Sequence, residues 1–159
     1  MARQFGRYKI STHSDPDWGK LTTTQHDIYM ALLSSPDIDW AGVVPYFPSR
    51  FAMFAADLTE RKVERAWQGL AELGYLVIDK GMGEVLVRTF VKHDEVLSKP
   101  NITKAMLTAL DRIRSDAVRE ALIDELHALA DEKPNLRGWD AIHEQSPELF
   151  RELFMKEVA

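Results

Sequence analysis

At 159 residues and 45% hydrophobic content, the chain suits one compact domain, or a small domain with a helical extension, and is too apolar for wholesale disorder. No Cys is present, which removes disulfides, zinc ribbons and thiol nucleophiles together and is compatible with a reducing interior. With 20 Lys and Arg against 25 Asp and Glu, neither side of Glu95 is basic, so any nucleic-acid contact has to come from a local patch.

The opening Met1 to Lys9 lacks the apolar stretch of a signal peptide, and no run approaches the roughly 20 apolar residues of a membrane span. The expectation is a soluble, cytoplasmic protein with no membrane partner. Tyr8, Ile10 and Thr12 alternate with polar neighbours and predict a short strand. Ser14 to Asp17 reads as a turn. Thr22 to Thr24 offer hydroxyl caps for a first helix, whose stripe of Ile28, Leu32 and Leu33 ends near Pro36. Gly42 to Pro45 predicts a short edge strand, because Pro45 cannot donate to a ladder.

Pro48 fits the first turn of a second helix through about Ala55, with Phe51 and Phe54 as buried candidates. Asp57 and Leu58 form a turn, and Thr59 caps a third helix over 59–73, stopped by a left-handed Gly74. Tyr75 to Asp79, a glycine-rich turn from Lys80 to Gly83, and Glu84 to Val91 then make a hairpin over 75–91. This order of elements is that of a winged helix-turn-helix.

Lys92 to Pro100 is a polar connector. Asn101 is expected to cap a helix to about Arg114, and Ser115 or Asp116 another to Asp131, with Val118, Leu122, Leu126 and Leu129 buried. Pro147 opens a short amphipathic helix carrying Leu149, Phe150, Leu153 and Phe154. The fold class expected is therefore α+β and mostly helical: a winged helix-turn-helix domain with its N-terminal arm over 1–95, and a C-terminal helical subdomain over 96–159.

On the third helix, Val63, Ala66, Trp67, Leu70 and Leu73 share one side, while Arg61, Arg65, Gln68 and Glu72 share the other, with Lys62 at the edge. A helix that reads DNA needs a buried stripe for anchorage and Arg or Gln reaching base edges. A solvated face laced by Glu60, Glu64 and Glu72 gives the same pattern. The hairpin that follows favours DNA, with Lys80 at its tip, Arg88 on its return strand and Arg50 on the second helix as phosphate contacts. Lys80 and Arg88, each taken singly, serve equally well to keep an exposed hairpin soluble. Arg3, Arg7 and Lys9 form a basic arm, with Phe5 and Tyr8 expected to dock against the body.

Catalysis has little support. The five histidines lack metal-ligand spacing, Gly81 to Gly83 is too short for a phosphate loop, and an Asp15-Pro16-Asp17 turn needs no metal. His93 and Asp94 adjoin in the chain and point apart if extended, so capping suits them better than acid–base work. No enzyme activity, cofactor or metal is expected.

Three stretches carry a family resemblance: Met1-Ala2-Arg3 with Gly6-Arg7, Lys9-Ile10-Ser11 and Asp15-Pro16-Asp17; Leu76-Val77 with Glu84 to Asp94; and Pro134 with Arg137-Gly138-Trp139. In these the chain resembles a family of winged helix-turn-helix proteins from actinobacteria and their phages. The N-terminal part is also similar to winged helices of phage replication initiators. The resemblance implies double-stranded DNA as partner, in transcription regulation or DNA replication, inside the host cytoplasm if the chain is a bacteriophage product. The alternative is a winged-helix protein-interaction module, binding a host or phage protein or forming a homodimer through the acidic C-terminal helices.

Overall fold

The computed structural model describes residues 3–155. Helix α1, Thr23–Leu33, starts where Thr22 and Gln25 close a reciprocal box: Thr22 Oγ1 accepts from the Gln25 amide at 3.1 Å, and Gln25 Oε1 from the Thr22 amide at 2.8 Å. Strand β1, Val43–Pro45, leads to a single helical turn, α2, Pro48–Phe51. Helix α3, Glu60–Glu72, is capped by the Thr59 hydroxyl, and Gly74 ends it with φ 80°. Strands β2, Leu76–Asp79, and β3, Glu84–Val87, form the hairpin. The sheet is antiparallel in the order β1-β3-β2, with Val85 between Val44 and Ile78.

A one-turn helix α4, Phe90–His93, follows, then α5, Pro100–Arg112, α6, Asp116–Glu132, α7, Gly138–Gln145, and α8, Pro147–Phe154. The chain is thus α+β and mostly helical. Ser115 caps α6 through its hydroxyl, and Val118, Leu122, Leu126 and Leu129 are buried as their spacing predicts.

Several expectations are corrected. Tyr8 to Thr12 forms no strand; Ile10–Ser14 is a 3-10 turn in which Ser14 Oγ donates to Ser11 O at 2.9 Å, a local bond that competes with extension. Phe51 is buried, but α2 tightens into a 3-10 turn at Ala52–Phe54, and Phe54 is left 57% exposed. The return strand stops at Val87, because Phe90 and Val91 turn inward on α4. The segment after Lys92 is less polar than it reads, since Val96 and Leu97 are fully buried in a 3-10 turn. Asn101 caps nothing: Pro100 occupies the first turn of α5, and Lys99 at the cap position gives no side-chain bond. Helix α7 has no counterpart in the sequence-based expectation.

All four residues of β3 are buried. Both ladders of this strand are occupied, and side chains alternate across the sheet, so burial throughout requires cover on both faces. Val85 and Val87 share one face with Leu76, over which α3 packs. Glu84 and Leu86 point the other way, toward α6, which packs on β2 and β3. The Glu84 carboxylate accepts from the amides of Arg114 and Ser115 at 3.0 Å each, and Ser115 Oγ donates to Asp79 at 2.6 Å. The corner between α5 and α6 is thereby fastened to the turn end of the hairpin, where Arg114 also donates to Met82 O at 3.0 Å. One continuous apolar cluster runs from Trp18 on the N-terminal side to Leu153 on α8, across the position of Glu95.

Candidate functional site

Helix α3 is set by the burial of Val63, Ala66, Trp67 and Leu70 against α1, α2 and β2. Trp67 is fully buried between the edges of Tyr46 and Phe51, at centroid distances of 5.5 and 5.2 Å. With that stripe anchored, Arg61, Lys62, Arg65 and Gln68 face outward and are exposed. Among the described residues, the Arg61 and Arg65 guanidiniums make no hydrogen bond or ion pair with the protein. Lys62 Nζ donates to Asp57 O at 2.7 Å, and Gln68 Nε2 lies 3.4 Å from Glu72 Oε1. A groove of about 350 Å³ runs beside Lys62 and Arg65, with Thr22 and Thr24 from the start of α1 also lining it.

The remaining expected contacts divide. Lys80 is exposed at the hairpin tip, 4.0 Å from Glu64 on α3 and 5.5 Å over the Tyr46 ring, so it stands beside the α3 face. Arg50 is half exposed and pairs with Asp37 at 3.0 Å. Arg88 goes elsewhere: its Nε donates to Glu125 of α6 at 2.7 Å. The structure therefore gathers Arg61, Lys62, Arg65, Gln68 and Lys80 on one surface and engages Arg88 with the C-terminal helices. Glu60, Glu64 and Glu72 are interleaved, which keeps the surface only weakly basic.

The N-terminal arm is docked by Arg3 and, in part, by Tyr8, and not by Phe5. Arg3 carries the docking: Nη1 donates to Leu33 O at 3.1 Å, Nη2 pairs with Asp94 at 2.9 Å, and the guanidinium lies 4.8 Å over the Phe90 ring. Arg7 pairs with Glu95, whose carboxyl is held below its usual range by that bond. Phe5, expected to dock, is 69% exposed. Tyr8 is partly covered, packing on Trp18 at 5.8 Å. Asp94 is thus an anchor for Arg3, and burial pushes its carboxyl up against the pull of Arg3 and Arg7.

The carboxylate weighed as a metal ligand serves structure instead. Asp15 accepts from Tyr75 Oη at 3.0 Å, and burial together with that carboxylate pushes the Tyr75 phenol upward. Among the described residues, no three His, Asp or Glu side chains converge as a metal site. No helix there is long and apolar enough to cross a membrane. At the C-terminal end, Leu149 and Leu153 are buried within the chain's own core, while Phe150 and Phe154 stack at 4.6 Å and pack on His143 and Trp139. The stripe proposed for an external partner is largely consumed internally. Compared with protein-family models, curated proteins and solved structures, the chain matches none.

Proposed function

We propose that this chain is a non-enzymatic, double-stranded DNA-binding protein built on a winged helix-turn-helix. In this assignment α3 enters the major groove and the hairpin is the wing. The order α1-β1-α2-α3-β2-β3, with β3 central, supports the class. The observation that carries the assignment is the outward face of α3, where Arg61 and Arg65 stand one helical turn apart, exposed and, among the described residues, without partners. A guanidinium that the fold leaves unused can make the bidentate contact that identifies guanine. Gln68, next along the face, suits adenine, while Lys62 and Lys80 suit flanking phosphates. A role in bacterial or phage transcription control or replication initiation follows from the class, and it rests on the sequence resemblance alone.

The test is selection of genomic fragments on the full chain at two salt concentrations, repeated with an Arg61→Ala/Arg65→Ala double variant. The wild type should enrich a motif, and its affinity should fall steeply with salt. The double variant should lose discrimination by about 1–3 kcal/mol for each bidentate contact removed. Unchanged affinity and motif in that variant would remove α3 as the reading helix.

A further inference from the structure

A second recess lies away from α3. It is a cleft of about 880 Å³ between the N-terminal arm and the start of α5. Phe5, Trp40, Ile102 and Ala105 supply its apolar surface, and Gln4 and Arg7, the latter paired with Glu95, also line it. Its base is sealed by the Arg3–Asp94 pair, so that Arg3 contributes shape and not free charge. The rim at the α5 end is different. Lys99 is exposed, and among the described residues its ammonium has no partner. Asn101 is exposed there, and its backbone N–H has no acceptor, because Pro100 begins the helix and no side chain caps it. Lys99 with its free ammonium, Asn101 with its free amide and the positive end of a 13-residue helix thus line the same cleft as the Phe5 and Trp40 rings. A large apolar ring such as Phe5, held 69% exposed as one wall, is also a surface that an apolar body would cover.

We infer that this cleft is a binding site for a small organic anion: an aromatic or acyl body between Phe5 and Trp40, and a carboxylate, sulfonate or phosphate at Lys99 and Asn101. The volume is that of sites which enclose small organic ligands. The site is independent of α3, and its fate does not depend on whether the chain binds DNA.

The test uses 1-anilinonaphthalene-8-sulfonate, an aromatic anion, titrated into the full chain and followed by fluorescence. Saturable binding of one dye is expected. Ala105→Trp, which fills the cleft, should abolish it, and Lys99→Glu should weaken it roughly tenfold with an unchanged melting temperature. A Met53→Ser/Phe54→Ser variant should bind as the wild type does, since those exposed side chains lie on α2 and its extension. If Ala105→Trp melts early, Phe5→Asp takes its place and should also abolish binding. No saturable binding overturns the site, and so does binding that survives both the cleft and the Lys99 changes. Loss of binding in the Met53/Phe54 variant alone would place the dye on that other patch and overturn it equally.

Discussion

Thr89 Oγ1 lies 3.5 Å from His93 Nδ1 on the inner side of α4, and burial there pushes the imidazole below its ordinary value of 6.5, with Lys9 and Lys92 adding to the shift. The folded chain therefore takes up this proton less readily than the unfolded chain. Its contribution to stability is full above 6.5 and declines as pH falls through that value toward the folded pKa. Urea midpoints at about pH 7.5 and about pH 5.5 should differ more in the wild type than in His93→Gln. Equal losses in the two would exclude this imidazole as the source. The raised Asp94 carboxyl acts in the opposite sense on acidification, and it is common to both proteins. At this scale the sequence was legible where chemistry is local. Thr22, Thr59 and Ser115 cap because their hydroxyls reach amides three residues on. Arg88 and Glu84 were not legible, since their partners stand 37 and about 30 residues away and no spacing rule reaches that far.

Helix α3 was readable because its apolar period is strong and both its ends carry capping residues. Helix α7 was not, because Gly138 at its start reads as a loop residue when only helix propensity is considered. The reason for that glycine is tertiary. A Cβ there would meet Thr103 Oγ1 at 2.4 Å and Leu97 O at 2.6 Å, so glycine lets α7 lie directly on α5 and the preceding turn. Gly138→Ala should destabilise the chain by about 1–3 kcal/mol despite alanine's better helix propensity, as measured by denaturant unfolding. A neutral or stabilising result would mean that α5 and α7 separate easily. The same competition explains the short strand β3: Phe90 and Val91 have strand-forming side chains, yet both are fully buried by turning in on α4.

For the molecule as a whole, the division at 95/96 follows a change in local pattern and not a gap in packing. The face of the sheet carrying Glu84 and Leu86 is covered by α6, and Arg88 and Lys92 pair with Glu125 and Glu132 across the same junction. A fragment of residues 1–99 should therefore lose cooperative thermal unfolding and near-ultraviolet dichroism, because removing α6 exposes that face to water. A fragment melting sharply at the midpoint of the full chain would show instead that the first segment is self-sufficient. The distribution of charge belongs to this scale too. Under the proposed function, an acidic chain whose α3 face holds only a few free cations would rely on helix geometry for selection, and its nonspecific DNA affinity should be low.

The enclosure of β3 also sets a timescale. A strand paired on both edges and covered on both faces has no local route by which its amides can meet solvent. Backbone hydrogens of Val85 to Val87 should exchange only when the entire molecule opens, with the free energy obtained from denaturant unfolding. Those of Gly81 and Met82, exposed at the hairpin tip, should exchange far faster. One hairpin would thus hold both a slow strand that gauges global stability and a fast, exposed turn. Exchange at β3 as rapid as at the tip would mean that α6 lifts away from the sheet while the rest stays folded.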